Sequence, residues 1–210
     1  MKFYDYTTAP SPKRARMFMA EKGIQVETVQ VDLGQGEQFS DWFRQLNPRS
    51  TVPVLQLDDG TCLCDNSGIA AYLEAAYPDP PLLGTSAKEK GLVASWNSRV
   101  DQEGILAVAE AFRNKAKGFK DRALTGARSH AQIPELAARG RVRSEDFLDV
   151  LEQRLAETPY LAGDVFSVAD ISAFLFVGFS AWIKLEIGDE RPNLQRWYDQ
   201  VASRPSARSL

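Results

Sequence analysis

Histidine is almost missing from this chain: His130 is the only one in 210 residues, and there are just two cysteines, Cys62 and Cys64. A structural zinc site gathers four such ligands, so no metal is expected. The cysteines stand two apart in a strand-like stretch, so both leave one face in parallel, a poor geometry for a disulfide. They read as reduced thiols of a cytoplasmic protein. A surplus of positive charge is also lacking. Lys and Arg number 25 against 28 Asp and Glu, a net charge of -3. No basic field is left over for a phosphate backbone, so no nucleic-acid partner is expected. Long apolar runs are absent too. The longest, Ile171 to Ile183, is 13 residues and contains Ser172 and Ser180. Crossing a bilayer takes roughly 20 apolar residues, so this run reads as a buried helix and no membrane partner is expected. The opening MKFYDY alternates like a strand and has no signal-peptide core, which leaves export unsupported.

What is present is enough to build a core: 44% of the residues are hydrophobic. KFYDY (2–6) reads as a first strand. A helix starts near Pro10 to Pro12, since proline suits a first helical turn, and Gly23 is placed to end it. Residues 25–32 alternate as a second strand, so the three pieces have the size of a parallel βαβ unit. A short helix follows at 39–46. VPVLQL and TCLC flank Asp59-Gly60, a strong hairpin turn. Asp65 and Asn66 are N-cap candidates for the helix SGIAAYLEAAY. The proline-rich PDPPLLGT is the best linker in the chain. After it only helical patterns remain, near 87–118, 135–157, 167–183 and 191–203. Ser167 and Asp170 form a capping box at the start of a helix that is apolar almost all round. The expected domains are 1–78, a linker at 79–86, and 87–210. The expected fold class is α/β plus all-α: a thioredoxin-like βαβ-α-ββα domain followed by a helical bundle.

Four stretches carry a resemblance that spans essentially the whole chain. STVPVLQLDDG (50–60) resembles the cis-proline strand of the cytosolic glutathione transferases. DNSGIAAYLEAAYP (65–78) is similar to the helix that follows in that family, PYLAGDVFSVADISAF (159–174) to its helical-domain signature, and RPNLQRWYDQVASRPS to its closing helix. The opening DYTTAPSPKRARMFMAEKGI is similar to a bacterial and fungal branch related to a yeast transferase that lacks the usual catalytic Tyr, Ser or Cys.

The resemblance implies a set of glutathione contacts. A cis bond before Pro53 would offer the Val52 N–H and C=O to an extended tripeptide, as an added strand would be offered. Thr51 lies on the same stretch. The helix start at Asp65 and Asn66 would receive the γ-glutamyl end, although the family usually has Glu-Ser there. Gln38 would face the glycine carboxylate. Phe39 stands where lysine is common, so Arg49 is the substitute cation, unless it is a solvated loop residue. The thiol would lie on the loop TTAPSP, whose hydroxyls and helix start can stabilise a thiolate. Ala9 matches the family's serine, which leaves Ser11 as the catalytic candidate, with Thr8 beside it; an N-cap role for Ser11 is the alternative. Arg113 and Asn114 are the polar candidates from the helical domain. Phe112, Phe119, Phe179 and Trp182 are candidates for an apolar acceptor pocket, or plain helical core.

The function this implies is conjugation of the glutathione thiolate to small apolar electrophiles, with glutathione as co-substrate and a homodimer as the assembly. The alternatives are a catalytically weak ligand-binding relative and a glutathione-dependent peroxidase. Exchange through an enzyme cysteine is disfavoured, because the TTAPSP loop holds none.

Overall fold

The computed structural model describes residues 1–210. The chain forms two compact units: Met1–Pro80 with Thr125–Arg128 and Ser209–Leu210, and Pro81–Leu124 with Ser129–Arg208.

The first unit is built on four strands, β1 (Lys2–Asp5), β2 (Glu27–Gln30), β3 (Val54–Gln56) and β4 (Cys62–Leu63). Their order is β2-β1-β3-β4, with β1 and β2 parallel and the other pairs antiparallel. The parallel pair is joined through α1 (Pro10–Glu21), as a crossover requires. Gly23, at φ +65°, closes α1: its N–H bonds the Ala20 carbonyl, and the Ile24 N–H bonds Met19. The strands are shorter than their alternation predicts, 27–30 instead of 25–32 for β2. Hydrogen bonding, not side-chain pattern, sets where pairing stops.

Alternation along β1 and β3 sorts the core onto two faces. Tyr4 and Val54 gather with Val31 and Phe43 on one face, where α2 (Asp41–Leu46) lies. Phe3 and Leu55, paired in register, are wholly buried on the other. There α1 and α3 (Asn66–Ala76) supply Met17, Phe18, Ile69 and Leu73. Lys22 is buried with its ammonium on Glu74 (2.8 Å) and on the carbonyls of Tyr77 and Pro80 (2.7 and 2.8 Å). It fastens the end of α1 to the end of α3.

The second unit is helical: α4 (Ala87–Arg99), α5 (Leu106–Arg113), α6 (Pro134–Glu157), α7 (Val168–Ser180), α8 (Pro192–Ala202) and α9 (Pro205–Arg208). The single helix expected over 87–118 is two helices separated by a wide π-type segment, Val100–Ile105. Two local causes are visible. Gly104 lies in that segment, and a Cβ there would stand 2.8 Å from the Phe147 ring. Asn114 then ends α5 by folding its amide back onto the Glu110 carbonyl, 3.0 Å away, which competes with the next helical bond.

α7 is the spine of this unit. Ser167 and Asp170 form the capping box that the sequence predicts. Asp170 goes further than a cap. It is wholly buried, and it accepts from the Leu161 N–H, the Ser167 N–H and hydroxyl, and Trp197 Nε1, all at 3.0–3.1 Å. One carboxylate thus ties α7, the 158–166 loop and α8 together.

Candidate active site

The site is assembled at two helix starts in the first unit. α1 begins at Pro10 after the N-cap Ala9, which has no side chain able to cap. Ser11 is therefore inside the first turn and not the N-cap. Pro10 and Pro12 have no N–H, and the Ala9 N–H is taken by the Tyr6 carbonyl at 2.9 Å. That leaves the Ser11 N–H as the one donor at this helix end without a backbone partner.

α3 begins at Asn66, and Asp65 caps it by accepting from the Gly68 N–H at 2.8 Å. Asn66 does something the sequence gives no hint of. Its side-chain amide donates to Ser11 Oγ at 2.9 Å, so the two helix starts are bonded to each other. The consequence follows from hydroxyl chemistry. With a lone pair of Ser11 occupied by Asn66, its own O–H is left to donate to a third group.

Elsewhere in the same unit the backbone changes character. The Val52–Pro53 peptide bond is cis. Neither the N–H nor the C=O of Val52 is hydrogen-bonded within the chain. Thr51 is held from behind: Asn47, itself buried, donates to its carbonyl at 2.7 Å and its hydroxyl at 3.0 Å. Two further acceptors are buried without partners, Asn66 Oδ1 and Gln38 Oε1. The Arg49 side chain is exposed and forms no ion pair, and Thr8 is exposed.

A clamp not foreseen from the sequence fixes the loop between β1 and α1. Gln30, the last residue of β2, accepts from both the N–H and the hydroxyl of Thr7, at 3.0 and 2.8 Å. Arg16 donates to the Thr7 carbonyl at 2.8 Å. Gln30 and Arg16 both donate to one oxygen of the buried Asp5, at 2.9 and 2.6 Å. Every polar group of Thr7 is thus tied back to one carboxylate. The only clue in the sequence is an acid following the apolar Phe3 and Tyr4 on the first strand.

Both polar candidates from the helical unit are engaged within the fold. Arg113 is spent on the fold: its guanidinium donates to the carbonyls of Arg122, Ala123 and Leu124 and lies 4.4 Å over the Phe119 ring. Asn114 is buried between the Glu110 carbonyl and the Ile133 N–H. Both pin the excursion from 114 to 133, leaving little of either to meet a substrate. Phe112, by contrast, does gather Phe119, Phe179 and Trp182 around it, with ring centres 5.2–5.8 Å apart, and Trp182 is exposed. Tyr4 is a packing residue whose hydroxyl bonds Gln56 at 3.1 Å.

The family models for the glutathione S-transferase N-terminal and C-terminal domains match residues 9–76 and 110–205. Glutathione S-transferase 2 of Saccharomyces cerevisiae is 33% identical, over 100% of this chain and 89% of its own. The crystal structure of Gtt2 from that yeast superposes with a TM-score of 0.91 over 100% of this chain and 99% of that one. A glutathione S-transferase domain-containing protein of Marinobacter aquaeolei matches with a TM-score of 0.91 and 36% identity, over 99% of this chain and 100% of that one. The chain belongs to the glutathione S-transferase family and has its two-part fold, with a thioredoxin-like N-terminal and a helical C-terminal part.

Proposed function

We propose that this transferase activates the glutathione thiol at Ser11 and adds it to a carbon electrophile on a small apolar compound. The observation that carries the reading is the Asn66–Ser11 bond, in the same unit as the unpaired Val52 backbone. The peptide's cysteinyl residue takes the Val52 N–H and C=O, as an added strand does. That fixes its sulfur near the α1 start. A free thiol has a pKa of about 8.5, so little is thiolate near neutrality. Ser11 supplies an N–H and an O–H together at the positive end of a helix. Both favour the thiolate over the thiol.

The remaining polar groups suit the rest of the tripeptide. Asn66 and the open N–H groups of α3 meet the γ-glutamyl carboxylate, and the second Asp65 oxygen is available for the ammonium. The part-buried Gln38 and the exposed Arg49 serve the glycine end in this reading. The two cysteines do not suit a reaction through an enzyme thiol. Both lie part-buried on and just after β4, and burial pushes their thiols up. A detoxifying role and a homodimer are the family-level expectations that go with this chemistry. No helix is long and apolar enough to cross a membrane.

Calorimetry with glutathione, followed by turnover of a chlorodinitrobenzene, tests the proposal. Binding and turnover are expected. No binding at glutathione concentrations on the order of 1 mM overturns it.

A further inference from the structure

α7 contains a glycine that neither packing nor backbone conformation requires. Gly178 is helical and exposed, and a Cβ built on it would meet nothing within 4 Å. Glycine inside a helix costs about 1 kcal/mol relative to alanine. The contrast with Gly104 and Gly140 is plain, since a Cβ at either of those would collide with its neighbours. The space over Gly178 belongs to a cavity of about 690 Å³ within the helical unit, between α7, the loop 184–191 and α8. Cavities of about 300–1,000 Å³ take drug-sized molecules.

The walls of the cavity have a definite chemistry. Its apolar part is supplied by Leu148, Val177, Leu185 and Ile187, all buried. Its polar part holds two acids beside the neutral Ser180, Gln195 and Tyr198. Glu186 and Asp189, both exposed, are among the lining residues, and neither takes a hydrogen bond or an ion pair. Arg191 does not neutralise them. It is buried and already bonded to Asp149 at 2.8 Å, to the Ile187 carbonyl at 2.6 Å and to Glu190. An apolar body would cover the buried side chains, and a positive end would face two unpaired carboxylates.

We infer that this cavity is a binding site for small amphipathic organic cations, with Gly178 as the residue that keeps it open. The inference uses no residue of the glutathione site and stands or falls without it.

The probe is imipramine, a tricyclic body with a charged amine arm, titrated into the full-length protein by calorimetry. Binding is expected, with the neutral parent tricycle iminodibenzyl about tenfold weaker or more. Gly178→Leu fills the space and should abolish binding while glutathione turnover is retained. Should that variant not fold, Glu186→Gln with Asp189→Asn keeps the test alive, and should weaken imipramine about tenfold while leaving iminodibenzyl unchanged. Three results would overturn the inference: no imipramine binding near 1 mM, equal binding of the neutral tricycle, or undiminished binding to the folded variants.

Discussion

Asn66, at the start of α3, donates its side-chain amide to the hydroxyl of Ser11, at the start of α1, across 55 positions of sequence. If that bond orients the Ser11 O–H toward a thiolate, removing either partner should act on the sulfur. Ser11→Ala keeps the N–H and loses the O–H, so a partial loss is expected. Its kcat/KM should fall about tenfold, with the pKa of bound glutathione rising by about one unit. Asn66→Ala should do the same and also raise the KM for glutathione, because the proposed site gives Asn66 a contact with the peptide as well. Thiolate absorbance against pH measures both. An unmoved pKa in Ser11→Ala would leave the N–H alone as the stabilising group.

The clamp on Thr7 predicts a kinetic effect without a large stability effect. Gln30 is exposed, so Gln30→Met should cost little in thermal unfolding. It removes three hydrogen bonds that hold the loop before α1. The expected outcome is a lower kcat with the KM for glutathione nearly unchanged, since the proposed Val52 and Asn66 contacts would persist. Asp5→Ala should be worse on both counts. Asp5 is buried and carries an ion pair with Arg16, and breaking such a pair costs about 3 kcal/mol or more.

Asp170 makes stability depend on pH. Burial lifts its carboxyl from 3.8 to about 6, against the pull of the N–H and O–H donors around it. A raised carboxyl binds its proton more tightly in the folded chain than in the unfolded one. Its contribution is therefore full below about pH 4 and is lost as pH rises through about 6, a change of about 3 kcal/mol. Asp170→Asn has no such titration and turns an amide toward groups that are themselves donors. It should be less stable than the wild type throughout. The gap should narrow from pH 4 to pH 7 in chemical denaturation. A gap that stays constant across that range would show that this carboxyl does not titrate there.

Three helical glycines should respond in opposite directions to alanine. At Gly140 a Cβ would stand 2.6 Å from the Ala107 carbonyl oxygen and 2.7 Å from the Ala111 nitrogen. Backbone cannot step aside cheaply, so Gly140→Ala should separate α5 from α6 and cost several kcal/mol, roughly 3 or more. Gly104→Ala meets ring atoms of Phe147 and Phe176 at 2.8–3.0 Å and should cost about 1–3 kcal/mol. Gly178→Ala meets nothing and should stabilise by about 1 kcal/mol. Thermal unfolding of the three variants orders them.

Much of the fold is local and so was legible. Pro10 starts α1, Gly23 ends it, Asp59-Gly60 turns the hairpin, and Ser167 with Asp170 caps α7. Each is a contact or a backbone preference between residues a few positions apart, and period-2 and period-3.6 patterns supply the rest. The sequence also separated the strand-bearing part from the helical part, and the motif likeness put Asp65 and Asn66 at the start of α3 and a cis bond before Pro53, although β3 itself begins only at Val54.

What stayed hidden depends on pairs far apart in the chain. Nothing near Ser11 says that Asn66 will reach it, and nothing near Thr7 says that Gln30 and Arg16 will hold it. Arg113 looked free because the carbonyls of Arg122, Ala123 and Leu124 that take it up lie in a loop without pattern, and Asn114 because the Ile133 N–H it accepts from lies 19 positions away. Gly140 and Gly178 are the same residue in the sequence; only the neighbours brought in by packing make one indispensable and the other a vacancy. Local preference chose the elements, and side-chain hydrogen bonds and excluded volume between distant residues decided what each polar group is free to do.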